Sequence, residues 1–256
     1  MEARKTTTDL HWSERARSVA TDVEVNIMDV FQRELEYDYI EPYLDASMSV
    51  LEVGCGNGFS TDRFRKHSKW VDAFDYSEDM VARARSRFGE TNNRFFHDDV
   101  LDPRDFHGPY DTVICVRVLI NLKDSKEQMR ALDNMDRALR SSGRLILAEG
   151  FTDGFENLNQ LRAKVELPPL VPASINYYTP LAELEAALGD RYQVAARFHL
   201  GAYDYLTRVV YPLQVGPENA KHNTNFSERC QQLARAFNPD AFQHLSRIRG
   251  LVLTKR

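Results

Sequence analysis

The feature that most constrains this chain is the string Leu-Glu-Val-Gly-Cys-Gly-Asn-Gly at residues 51–58. It ends an apolar run that is typical of a buried strand, and a helical pattern follows it. Glycines at such a junction allow a tight turn and let a ligand approach the backbone beside the spare N–H groups of a helix N-terminus. A tight turn without a ligand would also explain them, so the string needs support from the rest of the sequence.

Strand and helix patterns alternate around this string. Apolar runs predict strands at 49–55, 70–76, 94–96, 110–118 and 143–149, and two more at 192–199 and 248–254. Helical patterns predict helices at 13–44, 60–67, 78–88, 125–139 and 181–188, with Ser142-Gly143 ending the fourth of these. Strands that alternate with helices are typical of βαβ units, so we expect an α/β fold with a parallel sheet covered on both faces.

The alternation breaks after residue 150. Residues 151–180 contain four prolines, at positions 168, 169, 172 and 180, which we expect to fragment any helix there. Residues 200–247 are longer than an ordinary connection between strands. Both segments are therefore candidates for a small cap on the sheet.

Composition narrows the classes of protein that fit. The formal net charge of −5 argues against a broad basic surface that binds nucleic acid. No apolar run approaches the roughly 18 residues that span a bilayer, and the N-terminus lacks the apolar segment of a signal peptide. Cys55, Cys115 and Cys230 are far apart, so we expect reduced thiols in a cytoplasmic protein. No Cys/His spacing predicts a metal site. The sequence is compatible with a homodimer.

An acidic residue, Asp75, ends the second predicted strand. A carboxylate at that place can accept hydrogen bonds from both hydroxyls of a ribose, an arrangement that nicotinamide enzymes also use. Glu52 lies two residues before Gly54, where its charge would repel a pyrophosphate but would tolerate a ligand with an ammonium group. The pattern therefore favours an adenosine ligand without pyrophosphate, and the nicotinamide alternative stays open.

These residues resemble the first motifs of the class I S-adenosylmethionine (SAM)-dependent methyltransferases. The resemblance continues through His-Asp-Asp-Val at 97–100, YDTVICVRVLINL at 110–122 and SSGRLILAEG at 141–150, so that five motifs follow in order over residues 45–150. It implies a seven-stranded, mostly parallel, doubly wound, Rossmann-like sheet whose last strand is antiparallel. It also implies that SAM lies across the carboxyl ends of the first strands and leaves as S-adenosylhomocysteine (SAH).

The resemblance also implies roles for particular residues. Asp75 would bind the ribose and Asp99 the adenine amino group, with Asp98 as the alternative, while Trp12 is a candidate lid. The predicted cofactor-binding residues are Arg33, Glu52, Gly54, Cys55, Gly56, Asp75, Tyr76, Asp98, Asp99, Val100 and Val116. Within a single domain over 1–256, residues 13–44 form a helical lid, 45–150 the SAM-binding core, and 151–180 with 200–247 the acceptor-binding cap. Arg33 is assigned to the SAM carboxylate, or else is a solvated partner of an acid one turn away.

The end of the fourth strand holds Arg117. Relatives that methylate amide or amine nitrogens often carry Asn/Asp-Pro-Pro-Tyr/Phe there, and this chain does not. An arginine at that place would clamp a carboxylate or a phosphate. A salt bridge from Arg117 to Glu149 is an alternative that is compatible with this role.

The C-terminal third adds polar and aromatic candidates, and it resembles methyltransferases found with polysaccharide, phosphonate or phosphoramidate pathways. The predicted catalytic residues are Arg117, Tyr178 and His199, the last as the first choice for a general base. The predicted substrate-binding residues are Arg117, Glu149, Tyr177, Tyr178, Tyr203 and Arg208. Ordinary packing is the competing explanation for each tyrosine.

The sequence thus predicts a SAM-dependent O-methyltransferase for a small polar acceptor, anionic or sugar-like, that uses no nucleic acid, membrane or metal. N-methylation of an amino sugar or small amine is the second hypothesis, supported by acids such as Asp153 and Glu156. A SAM-binding module without catalysis is the third.

Overall fold

A computed structural model describes residues 7–19, 28–106 and 108–256 of the chain. Seven strands form one sheet in the order β3-β2-β1-β4-β5-β7-β6. The strands are β1 (Ser49–Val53), β2 (Trp70–Asp75), β3 (Asn93–His97), β4 (Tyr110–Val116), β5 (Leu139–Gly150), β6 (Tyr192–His199) and β7 (Ile248–Lys255). The first five pair in parallel, and β7 is antiparallel to both of its neighbours. The predicted fold class is confirmed.

Helices cover both faces of this sheet. They are α1 (Thr7–Ser18), α2 (Val30–Ile40), α3 (Phe59–Phe64), α4 (Glu78–Phe88), α5 (Ser125–Ala138), α6 (Thr152–Lys164), α7 (Leu181–Leu188), α8 (Gly201–Tyr205), α9 (Tyr211–Val215) and α10 (Asn225–Ala236). A single turn of π-helix, Leu206–Val210, joins α8 to α9. No helix in the described ranges is long and apolar enough to cross a membrane.

Two apolar layers hold the helices to the sheet. Side chains alternate along each strand, so Leu51 and Val53 face a cluster with α5 and α7, while Val50 faces a cluster with α2, α3 and α4. Residues on both layers are almost fully buried, which is why the strands are continuously apolar rather than alternating. The sheet therefore forms a rigid base for whatever binds at its edges.

Three differences from the predictions change how the elements are built. Helix α5 ends at Ala138 and β5 begins at once, so Ser142-Gly143 does not cap a helix. Residues 140–143 instead form an irregularity within β5, where the pairing with β4 slips between Tyr110 and Thr112. A strand that starts with polar residues lacks the apolar pattern by which it could have been recognised.

The other two differences lie outside the first five strands. Asp29 caps α2 by accepting a hydrogen bond from the Gln32 amide, so residues 13–44 are not one helix. The part of that prediction at 20–27 lies outside the described residues. In the first cap segment α6 runs unbroken over Thr152–Lys164, because all four prolines follow its last residue.

Candidate active site

The glycine string forms a sharp elbow at the carboxyl end of β1. Gly54, Gly56 and Gly58 all have positive φ, at 70°, 53° and 84°, a region that side chains disfavour. At Gly54 a β-carbon would lie 2.3 Å from the Cγ2 atom of Val118. The elbow therefore needs glycine for its backbone conformation and also for its close approach to the loop after β4.

The sheet register brings Asp75 to this elbow. Val53 pairs with Phe74 on one side and with Cys115 on the other, so the residues that follow emerge together at the carboxyl edge. One Asp75 oxygen accepts a hydrogen bond from the Gly56 amide at 2.8 Å, and the other accepts from the Ser77 amide at 2.9 Å. The predicted convergence of the glycine turn and the acidic residue is present in the structure.

The two acids after β3 differ in what their carboxylates do. Asp98 is buried, and its oxygens accept from the amides of Asp99, Arg104 and Asp105, so it holds the loop in shape. Asp99 is half-buried, and among the described residues only the Leu101 amide donates to its carboxylate. Burial raises the pKa of Asp99. The geometry therefore leaves Asp99, rather than Asp98, available to a ligand.

The remaining predicted cofactor residues surround this edge. Cys55 is buried, and its amide bonds to the Phe74 carbonyl. Tyr76 is half-buried beside Asp75, and Val116 is half-buried at the end of β4. Val100 is a core residue whose carbonyl accepts from Asn134.

Helix α1 lies over the same edge. The Ser13 and Ser77 hydroxyls are 3.1 Å apart in a buried contact after β2, and the Thr8 hydroxyl donates to the Asn121 carbonyl after β4. Because β1 lies between β2 and β4, α1 passes across the end of β1. The side chain of Trp12 packs beside Ala16 and Met80, between α1 and α4.

A buried polar cluster lies beneath the elbow. The Glu52 carboxylate accepts a hydrogen bond from the Thr61 hydroxyl at 2.5 Å, and burial raises its pKa to about 7. Arg33 lies close enough to Glu52 to oppose that shift, and it makes an ion pair of 3.1 Å with Glu36. Arg33 is only 6% exposed, so it is not the solvated partner that the alternative proposed.

Arg117 joins this cluster from the end of β4. It has a positive φ of 56°, and its amide donates to the Ala148 carbonyl of β5. Its guanidinium lies 3.7 Å from the Glu36 carboxylate, which it shares with Arg33, and its side chain is 24% exposed. Burial lowers the pKa of Arg117, and the neighbouring charge of Arg33 lowers it further. Two guanidinium groups thus share one buried carboxylate.

Glu149 is not available to an acceptor. It is 1% exposed, and its oxygens accept hydrogen bonds from the amides of Val118, Leu119 and Ile120, so it holds the turn after β4. Burial raises its pKa to about 7 despite these hydrogen bonds. Among the described residues Arg117 pairs with Glu36, so the structure does not contain the predicted salt bridge from Arg117 to Glu149. Burial and the three backbone hydrogen bonds also argue against a direct part for Glu149 in substrate binding.

Two predicted cap residues belong to the structural interior. Tyr203 is fully buried, and its hydroxyl donates to Asp29, so it cannot touch an acceptor directly. Arg208, placed by the π-helix, pairs with the same Asp29 carboxylate at 3.0 Å and is mostly buried. His222 lies 3.2 Å from that carboxylate as well. Asp29 is therefore the centre of a charged cluster that the sequence analysis missed.

Tyr177 and Tyr178 lie over the ends of β4 and β5. The Tyr177 amide donates to the Ile120 carbonyl, and the side chain is exposed. A β-carbon at Gly150 would lie 2.1 Å from Cε1 of Tyr178, so the ring packs directly against the end of β5. Both tyrosines remain candidates for acceptor contacts.

His199 is badly placed for a base. It ends β6, three strand spacings or about 14 Å from β4. Its Nδ1 accepts from the Gly201 amide, and burial lowers its pKa. Of the acids in the second hypothesis, Asp153 accepts from the Leu181 amide and Glu156 is exposed. These residues do not converge on Arg117.

The chain is similar to known methyltransferases over its first strands. Residues 50–143 match the family described as a methyltransferase domain. Nodulation protein S from Azorhizobium caulinodans is 31% identical over 97 residues, which are 38% of this chain and 46% of that protein. A malonyl-[acyl-carrier protein] O-methyltransferase from Bacillus cereus is 27% identical over 127 residues, 47% of this chain and 43% of that protein. The chain spans about half the length of these curated relatives.

The whole fold also has solved counterparts. The crystal structure of N-methyltransferase NodS from Bradyrhizobium japonicum WM9 in complex with SAH aligns with a TM-score of 0.61 at 15% identity, over 98% of this chain and 99% of that one. Residues 50–143 therefore match a methyltransferase domain, and the chain has the fold of this solved methyltransferase. Both findings support the predicted family, the class I SAM-dependent methyltransferases, and SAM as the cofactor in preference to a nicotinamide.

Proposed function

We propose that this protein transfers the methyl group of SAM to an oxygen of a small anionic acceptor, a carboxylate or a phosphate-like group, held by Arg117. The observation that carries the proposal is the pair Arg33 and Arg117 around the single carboxylate of Glu36, at the end of β4. Burial raises the pKa of the neighbouring Glu52 and Glu149 to about 7, which reduces their negative charge near neutral pH, so the two guanidinium groups favour a further anion.

The donor side fits SAM. In this proposal the elbow at Gly54 and Gly56 gives close backbone approach, Asp75 binds the ribose hydroxyls, and Asp99 binds the adenine amino group. Within the described part of the chain, no acceptor hydrogen-bonds to the buried Nε of Arg33, which suits that atom to the SAM carboxylate. When bound, SAM supplies a methyl group on a positively charged sulfur. The residues of the chain then have to align the acceptor oxygen with it.

An anionic oxygen needs no general base, and this agrees with the surroundings of Arg117. The acid beside it, Glu36, is fully buried between two arginines, and Glu149 accepts three backbone hydrogen bonds. A neutral hydroxyl would need a base, which these two carboxylates are poorly placed to provide. Tyr177 and Tyr178 are the proposed wall of the acceptor pocket, in the cap formed by 151–180 and 200–247.

N-methylation of a small amine is the second candidate. It is favoured by the similarity to nodulation protein S and to the solved N-methyltransferase NodS. The similarity to a malonyl-[acyl-carrier protein] O-methyltransferase favours the first candidate. The charge around Arg117 supports the first candidate, because a cationic amine would be repelled there.

A panel assay with methyl-labelled SAM tests the proposal. Malonate, phosphonoacetate and glucuronate represent anionic acceptors, and glucosamine represents amines. We expect turnover with an anion, and Arg117→Ala should raise its KM at least tenfold while SAH affinity changes less than threefold. Arg140→Ala, which breaks a surface ion pair at the opposite edge of the sheet, is the control. Turnover of glucosamine alone would favour the second candidate, and SAH binding without any turnover would favour a binding module.

A further inference from the structure

A row of hydrogen-bonded side chains connects the cap to Arg117. Asp204 of α8 accepts from the Arg247 guanidinium at 2.6 and 2.9 Å. Arg247 also donates to the Gln32 side-chain oxygen at 3.3 Å, and the Gln32 amide nitrogen donates to Glu36 at 3.0 Å. Glu36 then contacts Arg117. Gln32 is the link between the pair in the cap and the carboxylate in the proposed acceptor site.

The cap end of this row is held firmly. A β-carbon at Gly154 of α6 would lie 1.6 Å from the Ser246 carbonyl, and one at Gly201 of α8 would lie 2.1 Å from the Phe242 carbonyl. The segment before Arg247 is therefore packed between two helices at positions where only glycine fits. The Arg247 amide donates to Asp204 as well, which fixes the backbone beside its own side chain.

We propose that Gln32 is a positioning residue that sets the orientation of Arg117 through Glu36, and so couples the cap to the acceptor site. This inference rests on the proposed function for its consequence in catalysis, but the positioning itself is a property of the structure. Gln32 is 5% exposed, so its amide serves the two charged partners and not solvent.

The chemistry of the link requires an amide. Its oxygen faces a guanidinium, which only donates, and its nitrogen faces a carboxylate, which only accepts. Glutamate could serve Arg247 but would place a second carboxylate about 3 Å from Glu36, where the two charges repel. Methionine has a similar length and makes neither bond. The Glu36 oxygen that bonds to Gln32 would then have lost that partner, Arg33 alone would hold the carboxylate opposite Arg117, and the orientation of Arg117 would be less well fixed.

Gln32→Met and Gln32→Glu test the proposal, and Arg247→Lys tests it from the cap without changing α2. Gln231→Met is the matched control, because Gln231 is also buried and its amide nitrogen bonds to the Phe31 carbonyl of α2 but not to the row. The first readout is the arginine Nε–Hε NMR spectrum, with the Arg117 signal assigned from Arg117→Lys. We expect this signal to shift by more than its linewidth in the Gln32 variants and in Arg247→Lys, and to stay in place in Gln231→Met.

The second readout is malonate affinity of the SAH complex, by calorimetry. We expect about a tenfold loss for Gln32→Met in the parent background and no further loss in the Arg117→Ala background, because Gln32 acts through Arg117. An unmoved Arg117 signal in Gln32→Met and Arg247→Lys would overturn the inference, as would an equal shift in Gln231→Met. Failure of the parent protein to bind malonate or any panel anion would instead count against the proposed function, since the NMR result stands without an acceptor.

Discussion

The donor side and the acceptor side of this site are built in different ways. On the donor side, a carboxylate after a strand accepts a hydrogen bond from a backbone amide two residues further along the chain. The Ser77 amide bonds to Asp75 after β2 in this way, and the Leu101 amide bonds to Asp99 after β3. On the acceptor side, a charged and a neutral polar side chain meet across 174 residues between Tyr203 and Asp29, and across 215 residues between Arg247 and Gln32. Local backbone geometry leaves a pattern in the sequence, whereas pairing of distant side chains does not.

The largest effect should come from the donor elbow. Gly54→Ala adds a methyl group 2.3 Å from Val118 at a φ of 70°, where a side chain alone costs about 1 to 2 kcal/mol. Either the elbow or the loop after β4 must move, and both lie in the proposed SAM site. We expect SAH affinity to fall at least about a hundredfold by calorimetry, with a lower melting temperature.

Gly89→Ala is the control for that change. Gly89 also has a positive φ, 62°, but a β-carbon added there would have nothing within 4 Å, and the residue follows α4 away from the elbow. With ψ at −171° this backbone conformation is one that residues other than glycine rarely adopt, so the variant should lose about 1 to 3 kcal/mol of stability and keep its SAH affinity. Equal SAH affinity in the two variants would show that the elbow does not hold the donor.

The next effect tests the acceptor side through Asp29. Asp29→Asn keeps a good helix cap for α2 but removes the charge that Arg208 and His222 share. A buried arginine without its carboxylate is costly, so we expect unfolding in urea to show a loss of about 3 kcal/mol. Asp38→Asn is the control on α2. It breaks an exposed ion pair with Arg235 of α10 and should cost less than about 1 kcal/mol.

The stability that Asp29→Asn loses relative to the parent should decrease at low pH. Burial alone would raise the pKa of Asp29, but the His222 hydrogen bond and the charge of Arg208 outweigh it and hold the pKa well below its ordinary 3.8. The stability from this carboxylate is therefore complete above about pH 5 and is lost as the pH falls from there through the lowered pKa. The gap between the parent and Asp29→Asn should narrow below about pH 5. A gap that stays constant down to pH 2 would contradict the assignment of charge to Asp29.

These contrasts explain how much could be predicted from the sequence. The elbow, Asp75 and the positions of the strands along the chain were predictable because glycine spacing and apolar runs report directly on local backbone and burial. Helix α7 was predicted with the bounds Leu181–Leu188 that the structure has. The motif that named Arg117 also placed it correctly, at the end of β4.

The acceptor side was predicted less well because its pairs have no local signature. His199 and Tyr203 were chosen for residue type, yet one ends a distant strand and the other is buried against Asp29. The signal nearest to Glu36 was its place three residues after Arg33, which fits an ion pair but does not tell a buried one from a solvated one. Gln32 gave no signal that distinguished it from any other helical residue.

A smaller effect separates the two neighbouring acids on the donor side. Asp99→Asn can still accept from the Leu101 amide but loses the charge proposed to hold the adenine amino group. We expect SAH affinity to fall about tenfold with little change in melting temperature. Asp98→Asn should do the reverse, because the Asp98 carboxylate accepts several backbone hydrogen bonds within the loop. If Asp98→Asn weakened SAH binding more at unchanged stability, the two assignments would have to be exchanged.

The smallest effect concerns α1 as a cover for the donor. Ser13→Ala removes the buried contact with Ser77, whose amide bonds to Asp75, and should weaken SAH binding about fivefold because α1 docks less well over the end of β1. Arg17→Ala breaks an ion pair between α1 and Asp79 that is largely exposed, so it should change SAH affinity less than twofold. Both variants loosen the same helix, but only one contact lies beside the donor carboxylate. Equal effects would mean that α1 stabilises α4 in general and has no particular part in covering SAM.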